Sequence, residues 1–271
     1  MMLVDGRETD TVSARDRGLN YGDGLFETMR LHAGRVLLLP RHLARLRAGC
    51  TRLALPYPGD ALLAADVARV VAGAPADAIV RLVLTRGDGG RGYAPPRDAR
   101  GRRIVALHAL PPPGPPALTV GICGTRLGHS AALGGLKHLG RLEQVLAADE
   151  IAAAGWDEGL MLDPSGHVVE ATRHNLFYVR AGRVLTPPLA ASGVAGVMRA
   201  LVLETLAALG LPGGQEPLRY DALDEIEEMF LCNAVVGVRP VKSLAGRELG
   251  PGSAMATLRQ PLADAGVAWL G

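Results

Sequence analysis

Lysine is nearly missing from this chain. Of its 29 Lys plus Arg residues only Lys137 and Lys242 are lysine, so arginine carries the surface charge and two exceptions have been kept. Net charge is nearly missing as well. The 29 basic residues face 27 acidic ones, a formal +2, so no strong field favours nucleic acid or an anionic membrane, and a small anionic ligand remains compatible. Cysteine is sparse: Cys50, Cys123 and Cys232 lie far apart, match neither a disulfide framework nor a zinc spacing, and read as buried, reduced thiols with no metal. No apolar run is long enough to span a bilayer. The opening "MMLVDGRETD" reaches charged residues too soon for the apolar core of a secretory signal, so the cytoplasm is the expected location.

What is present is a chain of 271 residues with 48% hydrophobic content, enough to bury a substantial core. The segment "LPPPGPPAL", residues 110 to 118, clusters prolines that fix φ and remove N–H donors, which marks a stiff linker. It predicts a small N-terminal α/β domain over 1–110, a Pro-rich linker over 111–116 and a larger C-terminal domain over 117–271. In the first, Met2 to Glu8 reads as a strand, "LFETMRLHAGRVLLL" as a hairpin turning at Ala33-Gly34, Pro40 to Leu55 and Asp60 to Ala72 as helices, and "AIVRLVLTR" as a strand.

In the second, "ALTVGIC" reads as a strand and "GRLEQVLAADEIAAAG" as a helix stopped by Gly155. Hairpins turn at Pro164-Ser165-Gly166 and at Ala181-Gly182, Gly196 to Leu209 reads as a helix, "EEMFLCNAV" as a strand, and Ser253 to Ala265 as a closing helix. Mixed antiparallel strands with outer helices indicate an α+β protein.

A reason to keep a lysine is chemical. A lysine amine can lose its proton and attack a carbonyl to form a Schiff base, whereas arginine stays charged. Lys137 follows Gly134-Gly135, whose missing side chains admit a planar ligand or another backbone, although a solvated lysine at a helix start is the plainer alternative. Glu170 ends a strand five residues before "NLFYV", where a carboxylate could keep a pyridine nitrogen protonated or simply cap a loop. Gly193 and Gly196 precede a helix whose amides near Val197 and Met198 could meet a phosphate, and Arg45 sits beside the apolar positions Leu43 and Leu46 of its helix. The loop "RGDGGRGY" lacks the ending of a P-loop, so Arg91 or Tyr93 on it are read as substrate contacts rather than a nucleotide cradle. Lys242, in "RPVKSL", is taken as structural.

Taken together, "DRGLNYGDGLFETMR", "RHLARL", "RGDGGRGY", "GLKHLGRLEQ", "EATRHNLFYV", "GVAGVMR" and "FLCNAVVGVRPV" resemble, in order and separation, the fold-type IV enzymes that depend on pyridoxal 5'-phosphate. That class holds branched-chain and D-amino-acid aminotransferases and aminodeoxychorismate lyases. The resemblance implies a two-domain fold-type IV architecture in which Lys137 carries the cofactor and moves protons, Glu170 pairs with its ring nitrogen, and Arg45, Val197 and Met198 hold its phosphate. Asn233 and Ala234 stand where aminotransferases often place a glycine and a hydroxyl residue near phosphate and substrate, a departure from the aminotransferase pattern.

Thr28, in "GLFETMR", resembles a threonine associated with the lyase branch. That branch converts 4-amino-4-deoxychorismate, a small molecule, to 4-aminobenzoate and pyruvate in folate biosynthesis. Arg91, Tyr93 and Arg81 are the candidates for the substrate's two carboxylates. The alternatives are a D-amino-acid or branched-chain aminotransferase, or a cofactor-binding protein without turnover. The resemblance also implies a homodimer with its active site near the subunit interface.

Overall fold

A computed structural model describes residues 1–250 and 252–267 and divides the chain into two compact units. The first contains Met1–Pro111 together with Lys137–Gly140, and the second Pro112–Leu136 with the chain from Arg141 onward. The lysine was expected in the C-terminal domain. Its segment groups instead with the first unit, because the Phe26 amide donates to the Lys137 carbonyl at 3.0 Å and the Leu139 amide to the Gly24 carbonyl at 3.1 Å. The far end of the expected domain, at Gly271, lies outside the described residues.

In the first unit the elements run β1 (Met2–Val4), β2 (Arg7–Glu8), α1 (Arg17–Tyr21), β3 (Gly24–His32), β4 (Arg35–Val36), α2 (Leu39–Leu53), α3 (Asp60–Val71), β5 (Ala78–Thr85) and β6 (Arg102–His108). They form one antiparallel sheet in the order β2-β1-β6-β5-β3-β4. The single strand expected over Met2 to Glu8 is a hairpin. Asp5 and Gly6 adopt φ of 51° and 77°, the left-handed pair that an Asp-Gly turn needs to reverse two strands. Ala33-Gly34 makes the same kind of turn, at the position the sequence marked.

Helices α2 and α3 pack on the sheet through stripes at helical spacing: Leu43, Leu46 and Cys50 on one, Leu63, Val67 and Val70 on the other. Beneath them Met29, Val80, Leu82 and Leu84 are at most 2% exposed, and each such side chain contributes about 1.5–3 kcal/mol. Helix α1 and strand β6 were not read from the sequence. The short α1 is started by the Asp16 carboxylate, which accepts the Gly18 amide at 2.7 Å.

In the second unit the order is β7 (Leu118–Arg126), α4 (Leu142–Ala154), β8 (Glu158–Leu162), β9 (His167–Ala171), β10 (Asn175–Arg180), β11 (Arg183–Thr186), α5 (Val197–Ala208), β12 (Gly213–Gln215), β13 (Leu218–Arg219), β14 (Glu228–Asn233), β15 (Gly237–Leu244), β16 (Arg247–Glu248) and α6 (Ser253–Asp264). The sheet order is β12-β11-β10-β14-β15-β7-β8-β9-β13, with β16 on β15. Three pairs are parallel, β11 with β12, β15 with β7 and β7 with β8, so the fold is the mixed α+β type expected.

Strands β8 and β10 are buried on both faces, which explains their unbroken apolar runs. One face packs Val120, Leu160, Tyr178, Leu231 and Val241 into a core, and on β10 and β14 Phe177 stacks on Phe230 at 5.1 Å. All three cysteines are buried and free, and burial pushes the Cys232 thiol up to about 12. Among the described residues no helix is long and apolar enough to cross a membrane.

Candidate active site

Strand alternation sorts the chemistry of β3. Leu25, Glu27, Met29 and Leu31 point toward the helices, and Phe26 and Thr28 toward the opposite face. Glu27 is 1% exposed in an apolar layer, a position a carboxylate occupies only with compensation. The compensation comes from α2, where His42 and Arg45 stand three residues apart on one face. Arg45 Nε donates to Glu27 Oε1 at 2.8 Å, its Nη2 donates to Oε2, and His42 Nδ1 donates to Oε2 at 2.6 Å. Burial pushes the Glu27 carboxyl up, but the Arg45 charge and the His42 hydrogen bond outweigh it and bring it down to about 2. Burial lowers the pKa of His42 despite its carboxylate partner.

On the other face, the Lys137 ammonium lies 4.3 Å from the centre of the Phe26 ring, and the Arg81 guanidinium 4.5 Å from the same ring. Thr28 pairs directly with Arg81 across β3 and β5. Lys137 and Arg81 therefore share one aromatic ring, and Thr28 lies on the same face of β3 as that ring. The Arg81 guanidinium makes no hydrogen bond or ion pair among the described residues. The other two carboxylate candidates sit on the loop after β5. Its backbone is held by Arg17, which donates to the Gly92 and Tyr93 carbonyls at 3.2 and 2.7 Å. Arg91 is exposed, and Tyr93, 85% exposed, meets Tyr21 edge-on at 5.6 Å.

The second unit carries the remaining candidates. Glu170, 4% exposed on β9, accepts the Val194 amide at 2.8 Å. The Val194 carbonyl in turn accepts Asn175 Nδ2 at 2.8 Å. Gly135, two residues before Lys137, pairs with the same loop, donating to the Gly193 carbonyl and accepting from the Ala195 amide, both at 3.0 Å. The loop leads into α5, whose cap Gly196 has no side chain to accept the first amides, so Val197 and Met198 open the helix as the sequence predicted. Asn233 shapes the turn between β14 and β15. Its Oδ1 accepts the Val235 and Val236 amides at 2.9 Å, and half-buried Ala234 lies in that turn. Lys242 is exposed on β15.

Sequence reasoning missed Glu27, His42, Phe26 and Asn175. The available signal for Glu27 was a glutamate at an inward position of "LFETMRL". It also missed a buried Glu158–His174 pair in the second unit, with Nδ1 and Oε2 2.6 Å apart. Among the described residues no group of three or more His, Cys, Asp or Glu is placed to hold a metal ion.

These two sets of residues fall within a stretch that matches a known family. Residues 24–244 fit the class IV amino-transferase model, and the chain belongs to that family. It is 43% identical to the crystal structure of a 4-amino-4-deoxychorismate lyase from Pseudomonas aeruginosa, with a TM-score of 0.92 over 97% of this chain and 98% of that one. An aminodeoxychorismate lyase from Vibrio harveyi is 35% identical, covering 92% of this chain and 93% of its own length. A putative branched-chain-amino-acid aminotransferase from Methanocaldococcus jannaschii is 32% identical over 90% and 86%. Members of the family depend on pyridoxal 5'-phosphate.

Proposed function

We propose that this chain is a pyridoxal-phosphate-dependent 4-amino-4-deoxychorismate lyase, releasing 4-aminobenzoate and pyruvate, and that it works as a cytoplasmic homodimer. The observation that carries the lyase reading is Thr28 on the face of β3 that presents Phe26, the ring on which Lys137 rests. The likeness to the two lyases over more than nine-tenths of the chain supports it. The donor set suits the cofactor: a lysine for its aldehyde, a buried carboxylate for its ring nitrogen, and uncapped helix amides for its phosphate.

When bound, the cofactor supplies an electron sink for the carbon that bears the substrate amine. Lys137 would hold the cofactor, and its amine would take the proton from that ring carbon. It then delivers a proton to the enolpyruvyl side chain, whose bond to the ring breaks as pyruvate leaves and the ring becomes aromatic. Thr28 orients the lysine for this second transfer. Glu170 would keep the ring nitrogen protonated, Arg45 and the Val197 and Met198 amides would hold the phosphate, and Asn233 and Ala234 would add cofactor contacts. Arg81 takes a substrate carboxylate in preference to Arg91 and Tyr93, because its guanidinium, resting on the Phe26 ring, has no hydrogen bond or ion pair to surrender among the described residues.

The deciding assay gives the cofactor-loaded protein 4-amino-4-deoxychorismate without any keto acid and follows both products. Equal appearance of pyruvate and 4-aminobenzoate is expected. Their absence, with amino transfer from D-alanine or leucine to 2-oxoglutarate, would replace the lyase with an aminotransferase, a reading favoured by the Methanocaldococcus relative. Thr28→Val should lower kcat with cofactor binding intact, and Lys137→Ala should abolish both turnover and the visible absorbance of the loaded protein.

A further inference from the structure

We propose that Asn175 is a positioning residue that clamps the backbone at Val194 and thereby sets both Glu170 and the amides of Val197 and Met198 for the cofactor. The proposal rests on the cofactor reading above. A residue has one backbone donor and one backbone acceptor, and at Val194 both are taken by side chains from the two ends of a single connection. Glu170, on β9, accepts the N–H at 2.8 Å; Asn175, the first residue of β10, donates to the carbonyl at 2.8 Å. The neighbouring Gly193 carbonyl and Ala195 amide are consumed by Gly135. Residues 193–195 are thus held from both flanks.

Asn175 also touches the loop at a second point. A Cβ on Gly196 would fall 2.0 Å from Asn175 Oδ1, so the asparagine rests against the residue that caps α5. The backbone of Asn175 is itself fixed by its register with Cys232 on β14, and its side chain is 7% exposed. A movement of Val194 would remove a donor from Glu170 and displace the start of α5 at once. The chemistry demands an amide here. Aspartate matches its shape but offers the Val194 carbonyl an oxygen in place of an N–H, so it loses the donor and adds repulsion.

The test titrates apoprotein with pyridoxal phosphate and with pyridoxamine phosphate, which cannot bond covalently to Lys137, and records the phosphorus NMR signal of the bound ligand. N175A and the near-isosteric N175D are each expected to weaken both ligands by about tenfold or more and to shift the phosphorus signal. G196A should weaken pyridoxamine phosphate by more than about tenfold alone, but by less than about threefold when Asn175 is already alanine, because the clash has been removed. A folded N175D that binds both ligands like the wild type with an unmoved phosphorus signal would overturn the proposal. Equal effects of G196A in the two backgrounds would also overturn it. A wild-type protein that binds neither ligand would instead overturn the cofactor reading.

Discussion

Each unit buries a glutamate against a histidine at the same 2.6 Å, yet the two pairs are completed differently. In the first unit Glu27 gives its remaining capacity to Arg45, a charged residue whose side chain is 18% exposed. In the second, Glu158 accepts the Thr172 hydroxyl at 2.5 Å and the Gly159 amide at 3.1 Å, and among the described residues its ion-pair neighbour besides His174 is a largely exposed Arg173 at 3.4 Å. Burial raises the Glu158 carboxyl, but the hydrogen bonds and charge of His174 prevail and hold it below its ordinary value. The difference teaches that a buried carboxylate can serve as a counter-ion for a partly exposed arginine or as a hub for neutral donors. The same Glu–His geometry does not distinguish the two. The third partner does.

The sharpest way to break this comparison is Glu27→Leu. It removes the carboxylate that Arg45 and His42 share and should cost about 3–5 kcal/mol in denaturant unfolding, with weakened binding of pyridoxal phosphate as Arg45 loses its orientation. Next comes pH. The folded Glu27 carboxyl lies near 2 against an ordinary 4.5, so its contribution is complete above 4.5 and is lost as pH falls through 2. The melting temperature of the wild type should therefore drop across that window more steeply than that of Glu27→Gln, and parallel curves would remove Glu27 from the account.

Glu158→Gln should cost about 1–3 kcal/mol while leaving pyridoxal phosphate affinity unchanged. An affinity loss there would make the two pairs equivalent and end the distinction. The smallest effect is expected for Thr172→Val, about 1 kcal/mol in unfolding, which checks that neutral donors complete the Glu158 shell.

Periodicity and turn chemistry made much of the fold legible. The amphipathic stripes of α2 and α3 and the turns at Ala33-Gly34 and Ala181-Gly182 stand where the sequence puts them. Elements held by distant partners were harder to read. Strand β6 begins with two arginines, and its place is fixed by pairing with β1 and β5 on either side rather than by its own alternation. Lys137 was legible by rarity, but its place beside Phe26 follows from backbone bonds between residues more than a hundred positions apart. Glu27 was hidden for the same reason: α2 brings its partners at positions 42 and 45 back across the sheet. Arg81 could be named with Arg91 and Tyr93 from sequence, but only the structure separates an arginine without an ion-pair partner among the described residues from a loop pinned by Arg17.

The parallel pairing of β7 bears on how the chain is made. Its neighbours are β8, about thirty residues downstream, and β15, which ends at Leu244. During synthesis one edge of β7, with its apolar Leu118 and Val120, therefore waits unpaired while more than a hundred further residues are added. Such long-range closure is slow and leaves a strand edge open to neighbouring chains. Ribosome-bound chains truncated before β15 should bind chaperones strongly, and release should coincide with the emergence of residues 237–244.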